Sequence, residues 1–290
     1  MTVAGVIDRH RASGRSFTAA GVSSFVIDEG DGPPVVCLHG VPASSFLYRK
    51  VVPELAARGL RGLAFDLPGL GLAERPQDFD YSWSGLGAWT AAAIDALELE
   101  RIHLVVHDIG GPVGFEAAAL LGDRIASMTV LNTVVEADTF RRPWSMHPFA
   151  IRGVGEAWLA GMSKPLFRQL MRVQGIGDMV AVSKVELGAY VDLLKGDDRG
   201  RAFLKIMRSF ELTRAKRDQY VGLLGSGAFP IQVVWGEGDP ALRIETHGEA
   251  ARRAAGLKTI VRLPGKHFLQ EDQAPAIAEQ VRRFLGDRLD

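Results

Sequence analysis

Val105-Val106-His107-Asp108-Ile109-Gly110-Gly111 is the stretch from which the rest of the chain is read. Upstream, Arg101-Ile102-His103-Leu104-Val105-Val106 is rich in apolar and β-branched residues, the pattern of a short buried strand. Downstream, Pro112 to Leu121 reads as a helix, with Pro112 tolerated in its first turn. Two glycines directly after Asp108 and Ile109 allow a tight turn in which the helix packs close to its feeding strand. An exposed carboxylate at such an apex can attack an alkyl carbon and form an ester on the protein. Asp is also a common helix cap, and the turn by itself leaves both roles open.

Composition narrows the classes. The chain has 290 residues, 47% of them hydrophobic, enough for a sizeable core. Its 34 basic and 34 acidic residues balance, with no run of like charge, so nothing recruits nucleic acid or an anionic membrane. The single Cys37 lies in an apolar run and has no partner for an internal disulfide. No apolar run approaches the roughly 20 residues of a membrane span, and the first residues lack a secretory apolar stretch. These features lead us to expect a soluble cytoplasmic protein, monomeric or homodimeric.

Working outward, Phe17 to Ile27 reads as two short strands around Ala20-Gly21, and Val35 to Leu38 as a strand covered on both faces. Ala43-Ser44-Ser45 leads into an expected helix running to about Arg58, and Arg61 to Phe65 is the next strand. Trp83 to Leu97 reads as a helix. Beyond the central turn, Met128 to Asn132 is another strand. From about Val134 to Ala228 there are helical segments and no convincing strand; Pro230 to Trp235 resumes the sheet. A strand at Lys258 to Leu263 and a terminal helix to about Leu285 complete the pattern. Alternating strands and helices predict a mostly parallel sheet flanked by helices. The expected division is a core of 1–133 and 229–290, with a helical cap of 134–228 inserted after the sixth strand, over the carboxyl ends of the strands.

Asp108, Asp239 and His267 each follow an expected strand, in the order nucleophile, acid, base. If the strands are parallel, all three open at one edge of the sheet. His267 would then activate water against an ester on Asp108, while Asp239 fixes its tautomer. The backbone N–H groups of Val41 and Ile109 would hold the oxyanion formed when water attacks. Glu136, just past another strand end, is the alternative acid. Taken singly, His267 reads equally as a loop histidine and Asp239-Pro240 as a turn pair; their joint order favours a triad.

From about Val35 to its end the chain resembles the α/β-hydrolases with an Asp nucleophile, the haloalkane dehalogenases and the α/β-fold epoxide hydrolases. The resemblance is carried by Leu38-His39-Gly40-Val41-Pro42, Ser45 to Lys50, Phe65-Asp66-Leu67-Pro68-Gly69-Leu70-Gly71, His107 to Gly111, and His267-Phe268-Leu269-Gln270-Glu271. It implies an α/β-hydrolase fold, no cofactor or metal, and a small apolar organic substrate with water as partner. In dehalogenases a Trp directly after the nucleophile donates to the halide, and here that position is Ile109; Val41 stands where an Asn commonly supplies the second donor. Trp158 or Trp144 in the cap is the remaining candidate. An unpaired halide forfeits charge-assisted hydrogen bonds worth roughly 1.5–3 kcal/mol each. Epoxide hydrolases use cap tyrosines, or a His, on the ring oxygen, which makes Tyr190, Tyr220 and His147 the candidate donors, although the usual second-Tyr position falls near Met207. As packing or surface residues, Tyr190, Trp158 and His147 would carry no such role. Epoxide hydrolysis through an ester on Asp108 is therefore the favoured expectation, haloalkane dehalogenation the alternative, and a catalytically idle ligand-binding member of the fold the third reading.

Overall fold

The computed structural model describes residues 1–286. Residues 287–290, the end of the expected core segment, lie outside the described part. Eight strands form one sheet in the order β1-β2-β4-β3-β5-β6-β7-β8. β1 (Gly14–Ala19) and β2 (Val22–Glu29) make an antiparallel hairpin, and β2 also runs antiparallel to β4 (Arg61–Phe65). Ala20 and Gly21 both take positive φ (46° and 77°), which matches a two-residue turn to the strand twist. From β4 onward every pairing is parallel: β3 (Pro34–Leu38), β5 (Ile102–Asp108), β6 (Ile125–Thr133), β7 (Ile231–Gly236) and β8 (Val261–Leu263). The apolar run Val35 to Leu38 is wholly buried, as a strand sandwiched between helix layers requires.

Helices cover the sheet. α3 (Trp83–Ala96) packs on α4 (Gly110–Leu121), and α2 (Val51–Ala56) packs on α11 (Ala274–Gly286). Between β6 and β7 run α5 (Val154–Gly161), α6 (Lys164–Leu170), α7 (Lys184–Lys195), α8 (Arg201–Arg208) and α9 (Arg214–Gly225). An N-terminal helix, α1 (Val3–Ala12), packs against α7. α10 (Glu249–Ala254) lies between β7 and β8. No helix among the described residues is long and apolar enough to cross a membrane.

Two expected elements differ. The helix expected from Ser45 to Arg58 is split into a single 3₁₀ turn, Ser45–Tyr48, and the short α2. Pro53 has no N–H to bond back to Arg49, so the two pieces cannot fuse. In addition, Asp66 holds the Ser45 amide at 2.6 Å. β8 is only three residues long, not six, because it pairs only with Val234 to Gly236 at the sheet edge and Lys258 to Ile260 find no partner strand.

The insertion is tied to the core by a buried ionic cluster. Glu271, whose side chain is fully buried, accepts from Arg49 (2.6 and 2.9 Å), from Lys50 (2.8 Å) and from the Tyr190 hydroxyl of α7. Arg49 also reaches Glu186 of α7 at 2.9 Å. Removing one member strands the others away from water, a loss of about 3–5 kcal/mol for a buried pair. Glu271→Ala is expected to lower unfolding stability by about that amount in urea titrations. A loss under about 1 kcal/mol, the range of exposed pairs, would show that the cluster is not holding α7 to the core.

Candidate active site

The turn after β5 places Asp108 at φ 54°, a left-handed conformation rare outside glycine. Such strain persists only where the surroundings fix it. Here Thr133 Oγ1 donates to the Asp108 carbonyl, and α4 starts at Gly110 close against the end of β6. A Cβ at Gly111 would run into the Thr133 side chain, and one at Gly40 into the Asp108 carboxylate. Glycine at those two positions is what lets the turn close.

The carboxylate is held from two sides. Val41 N–H donates to Asp108 Oδ1 at 2.7 Å, and the Ile109 backbone adds a second hydrogen bond. On the other side His267 Nε2 lies 3.3 Å from Oδ2. His267 Nδ1 donates to Asp239 Oδ2 at 2.8 Å. Asp239 follows β7, and its Oδ1 accepts the amides of Ala241 (2.8 Å) and Leu242 (3.0 Å), which fixes the carboxylate plane. The three groups expected from sequence thus meet in one line, with both expected amides on Asp108.

Charge alternates along that line. Burial pushes the His267 imidazolium down, but Asp239 and Asp108 outweigh it and hold it up at about 10. Burial pushes Asp108 and Asp239 up, and His267 draws both below the ordinary carboxylate range. Beneath lies His107, pushed down to about 3 by burial and by the His267 charge, and therefore neutral. It donates from Nε2 to the His267 carbonyl at 2.8 Å.

Sequence reading missed Asn132. At the end of β6 its amide donates to Asp239 Oδ2 at 2.7 Å, and its Oδ1 accepts the Gly236 amide at 2.8 Å, joining two strand ends. A polar residue closing an otherwise apolar strand was the available signal. Glu136 does not take the acid place: its side chain is 43% exposed, and its nearest cation is Arg253 at 3.9 Å.

Asp108 and His267 open into a cavity of about 100 Å³ with a mainly apolar lining that includes Phe140, Phe149, Phe167, Met171 and Phe268. None of the expected cap donors lines it. The Tyr190 hydroxyl is spent on Glu271, and that of Tyr220 on Glu116 at 2.9 Å. Trp158 donates to the Ser145 carbonyl at 3.2 Å. His147 is exposed, as is Trp144 at 63%. The two remaining tyrosines are committed as well, Tyr48 to the Leu38 carbonyl and Tyr81 to the Pro76 carbonyl.

Three residues that carry uncommitted N–H groups line it instead. Trp83, 1% exposed at the start of α3, has an indole N–H with no partner. Arg142, in the loop after β6, has an unpartnered Nε. Gln174 accepts from Ser145 Oγ at 2.8 Å, and its amide N–H groups have no partner among the described residues. Among the described residues no cluster of His, Cys, Asp and Glu could hold a metal ion.

Residues 33–274 match the family model described as the alpha/beta hydrolase fold. The chain belongs to that family. It is 32% identical over 280 residues to a haloalkane dehalogenase of Mycobacterium marinum, covering 88% of this chain and 86% of the relative. Among solved structures, Cfl2 of Burkholderia cenocepacia matches with a TM-score of 0.80 and 24% identity, over 93% of this chain and 95% of that one. An epoxide hydrolase of Vigna radiata matches with a TM-score of 0.73 and 20% identity, over 94% and 97%. At those identities the two structures speak for the fold, which in this α/β hydrolase carries the mostly parallel sheet described above.

The ionic line has a measurable signature. In nitrogen-detected NMR, His267 is expected to stay protonated through mildly alkaline pH, consistent with a pKa of about 10. Asp239→Asn removes the larger of its two stabilising charges, so the pKa should fall. A wild-type His267 that titrates near the ordinary histidine value of about 6.5 would contradict the alternating charges.

Proposed function

We propose that this α/β hydrolase displaces halide from a small organic halide through an ester on Asp108. Asp108 Oδ attacks the halogen-bearing carbon as the carbon–halogen bond breaks, and the halide leaves with the bonding pair. Esterification removes the Asp108 charge, so His267 loses one of the two groups that hold its proton. His267 releases that proton and then accepts one from water, whose oxygen attacks the ester carbonyl. The Val41 and Ile109 amides hold the oxyanion. The alcohol departs with the original Asp108 oxygen, and the net products are alcohol, halide and a proton. In this reading residues 134–228 act as the cap that excludes bulk water.

One observation carries the choice of leaving group: the cavity lining carries N–H donors and no tyrosine, and its Ser145 hydroxyl is spent on Gln174. All four tyrosines of the chain donate elsewhere. A ring-opened epoxide is an alkoxide, a strong base that needs a proton. A halide is the anion of a strong acid and needs only hydrogen bonds, which an indole and an amide can give. The dehalogenase relative at 32% identity supports the same direction. This reverses the preference drawn from Ile109, because Trp83 at the start of α3 lines the cavity and brings an indole N–H without a partner among the described residues. Epoxide opening is retained as the second reading because Ile109 offers no side-chain donor beside the nucleophile.

Bromide release from 1-bromobutane is expected to exceed diol formation from styrene oxide at least tenfold, and the reverse order would restore the epoxide reading. Trp83→Phe, which deletes one charge-assisted donor worth about 1.5–3 kcal/mol, should lower bromide release by about ten- to a hundredfold. His267→Gln should accumulate the ester, seen as added mass on the peptide bearing Asp108; an unmodified peptide after exposure to 1-bromobutane would argue against Asp108 as nucleophile.

A further inference from the structure

Arg142 carries a charge that turnover of a neutral haloalkane does not use. It lines the same cavity as Asp108 and His267 and is partly buried. No carboxylate pairs with it among the described residues. One Nη donates to the Met207 carbonyl at 2.8 Å, and the cation rests 4.6 Å from the Phe210 ring centre. Its Nε is buried and has no partner among the described residues. A cation partly withdrawn from water without a counter-charge carries a desolvation cost that an anionic ligand would offset.

The counter-charge does not come from the triad. Arg142 makes no ion pair with Asp108, whose partners are Val41, Ile109 and His267. Both residues line the same cavity without pairing with one another. Two carboxylates against one imidazolium leave the catalytic end negative, which would repel an anionic molecule; a guanidinium elsewhere in the lining offsets that. A planar fork of N–H donors fits a two-oxygen acceptor better than a spherical halide. A cavity of about 100 Å³ favours the smallest such group.

We propose that Arg142 anchors a carboxylate at the far end of the substrate, so that the molecule turned over is a short halocarboxylic acid, released as the hydroxy acid. This rests on the halide reading of Asp108 and adds the group that orients the carbon chain toward it. The reaction is unchanged: the carbon–halogen bond breaks, the carbon–oxygen bond to Asp108 forms, and water then cleaves the ester.

The test compares 3-bromopropanoate and 4-bromobutanoate with their methyl esters and with 1-bromobutane, reading bromide. The better acid is expected to show at least tenfold higher kcat/KM than its own ester. Arg142→Gln should lose at least tenfold more on the acid than on 1-bromobutane, and Arg142→Lys, with charge but no fork, should fall between. Acids no better than their esters, or an equal loss on acid and 1-bromobutane in Arg142→Gln, would overturn the proposal; the second result would assign Arg142 to the departing halide. Calorimetric titration with unreactive butanoate tests the anchor without chemistry. At least tenfold weaker binding by a folded Arg142→Gln protein, checked by circular dichroism, supports the anchor, and unchanged binding refutes it. If no bromide alkylates Asp108, the halide reading falls while the butanoate titration still decides the anchor.

Discussion

The imidazole of His267 sits between two carboxylates in a nearly waterless setting, and the site depends on that arrangement. Asp239 is fixed by four donors, Asn132, Ala241, Leu242 and His267, so it cannot turn away. Asp108 is fixed by a strained backbone and two amides. Each carboxylate makes the imidazolium tolerable, and the imidazolium makes them tolerable in turn. In the proposed reaction, loss of the charge on Asp108 would upset this balance and turn a protonated histidine into a base at the moment an ester needs water. Under that proposal the trigger for the second half of the reaction is built into the electrostatics of the first.

The same principle of satisfied buried polarity explains which groups are left for a ligand. Both tyrosines of the insertion answer to the core: Tyr190 to Glu271, and Tyr220 together with Lys216 to Glu116 of α4. Those contacts fasten α7 and α9 to the core. What is left unpaired in the cavity is a short set of nitrogen donors, Trp83, Arg142 and Gln174. Their chemistry suits acceptors that arrive with the substrate or are created during its turnover.

The parts legible in sequence were those governed by local pattern. Strand, glycine turn and helix around Asp108 follow from periodicity and from the need for small residues at Gly110 and Gly111. The order Asp108, Asp239, His267 placed three loops at one sheet edge because parallel strands all end there. The split helix after Ser45 was signalled by Pro53 and went unread. Partners brought together only by folding were not legible. Nothing local distinguishes a tyrosine aimed at a substrate from Tyr190 aimed at Glu271, 81 positions away. Trp83 reads as an ordinary helix-start aromatic until its indole is found without a partner at the cavity wall.

Covalent catalysis by Asp108 is tested most directly by a single turnover in oxygen-18 water with enzyme in excess over 4-bromobutanoate or 1-bromobutane. The heavy oxygen should enter the Asp108 carboxylate, seen in the peptide that carries it, while the first alcohol formed keeps ordinary oxygen. Heavy oxygen in that first alcohol, with the Asp108 peptide unlabelled, would mean that water attacks the substrate directly and that Asp108 is not the nucleophile.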